Sequence, residues 1–227
     1  MTYLDLYKTD PQIRRDIIED GIIITTVDDR DILSFYLTDQ VERPSWYTNF
    51  AQLSSELTEN DIIEIILVTP GGYFDGGNLI ISAMNASPAQ VVGVILGEVA
   101  SMGTLIALKC DQLIIEPQAE FMIHNPSYGY SGKHQEVEAH VTFTTKQQKK
   151  MMQDSYKYFL TKKEIKRVLR GGDIWLDASE ISARWDNVLA ERKKLADAEQ
   201  AEQLVLTIDA YKEGIASLEA QLKALQK

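Results

Sequence analysis

A single cysteine, Cys110, leaves this 227-residue chain without an intramolecular disulfide framework, and nothing in it requires an oxidising compartment. Cys110 lies in an apolar segment and is expected to be a small buried core residue. Positive charge is also short, with 23 Lys and Arg against 34 Asp and Glu and a formal net charge of -11. Phosphate binding draws its affinity from clustered cations, so a nucleic acid partner is not expected. No pair of His, Cys or carboxylate residues has zinc-ligand spacing, and no Gly-x-x-x-x-Gly-Lys-Ser/Thr loop is present to cradle phosphates. Metal catalysis and nucleotide hydrolysis by this chain therefore lack support, and no cofactor is expected. Met1 to Tyr7 lack the basic and long apolar regions of a signal peptide, which predicts a cytoplasmic protein. Val91 to Leu108 has the length of a membrane span but carries Glu98 near its middle. Gly97 and Ser101-Met102-Gly103 interrupt it and no Lys/Arg cluster flanks it, so a strand, a tight turn and a buried helix are expected instead, and no membrane partner.

What the chain does contain is an alternation of apolar runs with helical spacing. Residues 1 to 30 are poorly periodic apart from Ile22-Ile23-Ile24 and read as an N-terminal arm or edge element. Ile32 to Leu37 predicts a strand, and Trp46, Phe50, Leu53 and Leu57 recur at helical spacing behind Pro44-Ser45. Ile62 to Val68 is a nearly continuous β-branched run, followed by a helical stretch from about Gly76 to Asn85. Val91 to Leu96 reads as a buried strand, Met102 to Lys109 as a short helix, and Gln112 to Glu116 and Glu120 to Ile123 as strands. Buried strands alternating with helices predict an α/β core with a largely parallel sheet.

Beyond Gly132 the texture changes. Lys133 to Leu160 is polar, free of Gly and Pro, and loosely helical in Val137, Val141, Met151, Met152 and Phe159, which predicts one long helix. His134 and His140 lie along it and read as solvated. Thr161 to Glu164 and Asp177 to Glu180 look like capping boxes, placing helix starts near residues 162 and 178. Toward the end, Leu204, Ile208, Tyr211, Ile215, Leu218, Leu222 and Leu225 alternate in spacing between four and three. This is a heptad seam with Ile208, Ile215 and Leu222 at a positions, leaning toward parallel two-stranded pairing, although Gly214 weakens it. A single helix folding back on its own domain is the alternative.

Three segment ends carry candidate chemistry. Ser101 follows the apolar run that ends at Ala100, His124 follows Phe121-Met122-Ile123, and Gly71-Gly72 follow Val68-Thr69-Pro70. A serine hydroxyl becomes a useful nucleophile when a positioned base takes its proton, and backbone N–H groups at a glycine turn can face a developing oxyanion. Taken singly, Ser101 could be a helix N-cap and His124 a satisfied core histidine. Together with the glycine turn they point to acyl-transfer chemistry.

The same motifs carry a family resemblance. Thr69-Pro70-Gly71-Gly72, Ala100-Ser101-Met102-Gly103 and Met122-Ile123-His124-Asn125-Pro126 agree in order and spacing with the Clp protease proteolytic subunits, serine peptidases within the wider crotonase-like fold. The resemblance covers about residues 30 to 187. It implies a repeated ββα superhelix with a protruding handle helix, here 133 to 160, a peptidase domain over 31–187 and a helical or coiled-coil extension over 188–227. Carried over by position, Ser101 resembles the nucleophile, His124 the general base, and Gly71, Gly72 and the Met102 N–H the oxyanion hole. In Asp173-Ile174-Trp175-Leu176-Asp177-Ala178, Asp173 resembles the third member of a triad. Asp177 is its rival, better explained as the N-cap of the next helix. Pro126 to Gly132 resembles the segment that lines extended substrate.

The resemblance further implies a homo-oligomer of seven-membered rings, unfolded polypeptide as substrate, and a separate AAA+ ATPase unfoldase. The chain departs from the family pattern at Gly172, where an arginine pairing across the ring interface usually stands, and at Glu64 and Ile66, where aromatic side chains usually form ATPase docking pockets. Ala183-Arg184-Trp185-Asp186 replaces the usual Glu-Tyr-Gly-Leu ending. Such departures resemble those of specialised or phage-encoded relatives, including head-maturation proteases with coiled, scaffold-like segments. Two other classes of function stay open at this point: a non-catalytic ring-forming scaffold, and acyl-CoA chemistry on the crotonase fold.

Overall fold

The computed structural model describes the backbone of residues 1–225 and the side-chain surroundings of residues 1–215. Two units are separately compact, Met1–Trp185 and Asp186–Lys227.

The first thirty residues form α1 (Tyr3–Thr9), α2 (Pro11–Glu19) and β1 (Ile22–Val27), all within the first unit. Local chemistry sets their limits: a Thr2/Asp5 capping box opens α1, and the Asp10 carboxylate accepts from Gln12 and Ile13 N–H just ahead of Pro11, whose missing N–H costs nothing at a helix start. Asp28 and Asp29, with φ of 50° and 61°, make the two-residue turn into β2 (Arg30–Leu37), a conformation that matches the twist of a hairpin.

A 3-10 turn at Pro44–Tyr47 leads into α3 (Thr48–Glu56). Phe50, Leu53 and Leu57 are buried as their spacing predicts, but Trp46 is 64% exposed and Tyr47 is the buried neighbour, because the chain enters in 3-10 rather than α geometry. Phe50 stacks on Phe35 of β2 with ring centroids 4.6 Å apart. Then follow β3 (Ile62–Thr69), α4 (Phe74–Ala86), β4 (Gln90–Ala100), α5 (Met102–Ala107), β5 (Gln112–Ile115), β6 (Glu120–Ile123), α6 (His134–Ser155), α7 (Lys162–Val168), β7 (Ile174–Asp177) and α8 (Ala178–Leu225).

The expected α/β architecture is present as a seven-stranded sheet of order β1-β2-β3-β4-β6-β7, with β5 also pairing β4. Pairings β2–β3, β3–β4, β4–β5 and β4–β6 are parallel, while β1 and β7 join antiparallel at the two ends. Ile63, Ile65, Leu67 and Ile95 at its centre are fully buried, as is Cys110. Strand β4 runs four residues further than its apolar pattern suggests. Its first half pairs β5 through Ile95, and Glu98–Ala100 pair β6, with a register shift against β3 between Leu67 and Thr69. The irregularity around Leu96 and Gly97 lets one strand serve two neighbours and carries Ser101 to the end of β6.

The long polar helix α6 ends at Ser155, five residues short of its sequence-based limit. Tyr158 takes a φ of 70°, and Tyr156, Phe159 and Leu160 turn inward and are buried. Along α6 itself only Met152 is buried. Thr161 caps α7 through a box with Glu164, as the sequence predicts.

In the second unit, taken by itself, α8 supplies the structure. Leu204, Ile208, Tyr211 and Ile215 are all exposed, and so are Val205 and Leu206 off the seam. The side chains of Leu218, Leu222 and Leu225 lie outside the described residues. Among the described residues no helix is long and apolar enough to cross a membrane.

Candidate active site

Ser101 occupies the junction between β4 and α5 with φ 52° and ψ -120°. An L-residue is strained in that region by about 1–3 kcal/mol and stays there only where its surroundings hold it. On one side Ser101 N–H donates to the Met122 carbonyl of β6 at 2.8 Å. On the other its carbonyl accepts from Thr104 N–H at 3.1 Å and from Thr104 Oγ1 at 2.7 Å. Thr104 Oγ1 lies 2.6 Å from the Tyr156 hydroxyl, and both residues are buried. Burial pushes the Tyr156 phenol far above its ordinary pKa, so it is a neutral donor.

The strand pairing that fixes the serine also delivers the histidine. Ala100 pairs with Met122, so His124, just past the end of β6, comes beside Ser101. His124 Nε2 is 2.8 Å from Ser101 Oγ, a hydrogen bond between residues 23 apart in sequence.

The glycine turn packs against the same junction. Gly71 has φ 82°, and a Cβ there would stand 2.6 Å from the Ala100 carbonyl, 2.7 Å from Ser101 Cβ and 2.8 Å from Met102 N. At Gly72 a Cβ would meet the Val41 carbonyl at 2.3 Å. The two amides differ in availability: Gly71 N–H donates to Thr69 Oγ1 at 3.1 Å, whereas neither Gly72 N–H nor Met102 N–H, the first of α5, has an acceptor among the described residues. Of the three residues singled out from sequence for an oxyanion, Gly72 and Met102 offer open N–H groups and Gly71 shapes the turn.

For the third member, strand register separates the candidates. β6 and β7 pair antiparallel from Glu120 with Asp177 to Ile123 with Ile174. Extending that register by one step places Asp173 across from His124, while Asp177 falls at the far end of the pair. Asp177 Oδ1 accepts from Ser179 Oγ at 2.7 Å and Glu180 N–H at 2.9 Å, an N-cap, and these bonds hold its carboxyl below its usual range. Asp173 is exposed, and its carboxylate makes no hydrogen bond among the described residues.

Ser101, His124 and Gly72 open on a cleft of about 480 Å³ whose apolar walls include Leu105, Met151 and Met152. The segment after His124 is tied to α6 by Gln148 Nε2, which donates to the Pro126 carbonyl at 3.2 Å. His134 is exposed as expected, but His140 is half-buried because its ring stacks on Tyr130 at 3.9 Å, a contact invisible in the local sequence. Thr104 and Tyr156 were likewise beyond sequence reading: Thr104 reads as a helix residue and Tyr156 as part of a long helix. At the two positions that depart from the docking pattern, Ile66 is buried and Glu64 accepts from Ser34 Oγ at 3.1 Å. No cluster of metal-ligating side chains occurs among the described residues.

Comparison with known proteins converges on one family. The Clp protease family model matches residues 22–184. The ATP-dependent Clp protease proteolytic subunit of Streptococcus suis (strain 98HAH33) is 31% identical over 131 residues, covering 53% of this chain and 64% of that protein. The subunit of the same name from Streptococcus mutans serotype c is 30% identical over 128 residues, covering 52% of this chain and 62% of that one. The chain thus spans less than two thirds of the length of these relatives.

Proposed function

The chain belongs to the Clp protease family, and from that premise we propose that it is a serine endopeptidase cleaving unfolded or extended polypeptides inside a ring-shaped oligomer. Ser101 is the nucleophile and His124 the base that takes its proton, then returns it to the leaving amine. Attack on the scissile carbonyl puts negative charge on its oxygen, and the open N–H groups of Gly72 and Met102 are the donors that receive it. Asp173 orients the imidazole once its carboxylate turns toward His124. The 2.8 Å contact between Ser101 Oγ and His124 Nε2 is the observation that carries this reading.

Substrate selection follows from access. A family ring, heptameric in this reading, encloses its sites, and an AAA+ unfoldase in the cytoplasm delivers extended chains to them. In this chemistry the oxyanion's charge is met by backbone N–H groups and the imidazolium's by the Asp173 carboxylate, and neither step calls on a metal or cofactor.

A fluorophosphonate reagent tests the proposal. It should label wild-type protein at Ser101 and leave Ser101→Ala unlabelled and without peptidase activity. Assembled protein that is neither labelled nor active, or Ser101→Ala cleaving peptide as fast as wild type, overturns it. The exposed Leu204, Ile208, Tyr211 and Ile215 stripe favours a scaffold role, which is the reading left standing in that event.

A further inference from the structure

We propose that Thr104 and Tyr156 are positioning residues: a chain of two hydroxyls that locks the Ser101–Met102 peptide so that the Met102 N–H stays aimed at the oxyanion. The inference rests on the reading of Ser101 as nucleophile.

The direction of the chain follows from proton counting. Thr104 Oγ1 carries one hydrogen and gives it to the Ser101 carbonyl at 2.7 Å. The 2.6 Å contact with Tyr156 must then be made by the phenol donating to Thr104 Oγ1. Tyr156 is buried and neutral, so this donor is permanent. Each bond polarises the next, which strengthens the last one onto the carbonyl.

What that carbonyl controls is geometric. The peptide between Ser101 and Met102 is planar, so its C=O and N–H point in opposite directions and turn together. Ser101 sits at φ 52° and ψ -120°, and at that φ a rotation about ψ alone leads to the sterically allowed left-handed region. The same rotation would swing the Met102 N–H out of the cleft. Two donors from Thr104, its N–H and its hydroxyl, clamp the oxygen and oppose the turn. Tyr156 is the C-cap residue of α6, so the inner end of that helix is wired to the oxyanion donor through one threonine.

The test uses the full chain in its assembled state and a fluorogenic peptide, with melting temperature recorded for each variant. Thr104→Val and Tyr156→Phe should each lower kcat by about tenfold or more, approaching the loss of one oxyanion donor, while KM changes less than about twofold. Thr104→Ser should restore most of the kcat lost in Thr104→Val. The double variant should be no slower than Thr104→Val alone, because both changes cut one chain. Wild-type kcat in Tyr156→Phe and Thr104→Val, with Ser101→Ala inactive, overturns this inference and leaves the nucleophile assignment intact. Losses confined to KM, or fully additive losses, overturn it as well. An active Ser101→Ala instead removes the nucleophile and this inference with it. Should Thr104→Val fail to fold, Tyr156→Phe and Thr104→Ser decide: the first slow and the second near wild type supports the chain, and equal rates refute it.

Discussion

His124 and Asp173 lie just past the paired ends of β6 and β7, each one residue beyond the last register pair, Ile123 with Ile174. The same antiparallel register continued by one step would bring their Cα atoms roughly 4.5–5.5 Å apart, within reach of a carboxylate and an imidazole. Asp173→Asn should therefore lower kcat by about a hundredfold or more with little change in KM, since an amide cannot stabilise the imidazolium formed during attack. Asp177→Ala should do the opposite, lowering the melting temperature through loss of the α8 cap while kcat holds. Steady-state kinetics beside thermal melts of the two variants separate these outcomes. Loss of activity in Asp177→Ala at unchanged stability would reverse the assignment.

The glycine turn offers a sharper steric prediction. A methyl at Gly71 would press on the Ala100 carbonyl, Ser101 Cβ and Met102 N at once, and its φ of 82° disfavours any side chain. Gly71→Ala should lose both stability and nearly all peptidase activity, with fluorophosphonate labelling of Ser101 falling in parallel. Gly214→Ala has open space around its new methyl and should leave peptide cleavage unchanged.

Stability at acid pH should depend on Glu164. Hydrogen bonds from Arg184, at 2.8 and 3.1 Å, are the main reason its carboxyl is lowered from 4.5 to about 2, with the Thr161 bonds adding to them against the effect of burial. A depressed folded-state value means that the charged form stabilises the fold. Its contribution is complete above about pH 4.5 and is lost as pH falls toward 2. Glu164→Ala should cost about 2 kcal/mol at pH 7, for a charge-assisted pair and a helix cap together. Urea unfolding should show that gap closing between pH 4.5 and pH 2. A gap that stays constant across the window would show that Arg184 does not set the carboxyl's charge.

Ser101, His124 and the glycine turn were legible because each sits at the end of an apolar run, and sheet formation brings the ends of neighbouring strands together. The capping boxes at Thr161 and Asp177 were legible for a local reason, since their partners lie three residues away. What could not be read depends on tertiary neighbours. Tyr156 looks like one more residue of a polar helix until Phe159 and Leu160 turn the chain inward and bury its phenol beside Thr104. The partner change of β4 near Gly97 is hidden for a similar reason: an apolar run has no mark for where one neighbour ends and the next begins. The Gly71 N–H, grouped from sequence with its neighbour, is engaged by Thr69 Oγ1, a side-chain bond that motif spacing does not encode.

The heptads make a prediction about assembly. In α8 the seam residues Leu204, Ile208, Tyr211 and Ile215 are exposed, at 60%, 43%, 70% and 57%. We read this stripe, spaced by four and three, as the seam of a coiled coil, with Val205 and Leu206 exposed beside it. Its occupant in this reading is the same segment of a second copy, because β-branched Ile208 and Ile215 at a positions with Leu204 at d favour parallel pairs. In this reading the extension over 188–227 is an assembly element. Native mass spectrometry of full-length protein should give a larger assembly than protein truncated after Leu189. Ile208→Asp should reproduce the smaller species, because it places like charges face to face in the seam while fluorophosphonate labelling of Ser101 persists. Equal stoichiometry for all three proteins would assign the stripe to some other partner and remove the tail from assembly.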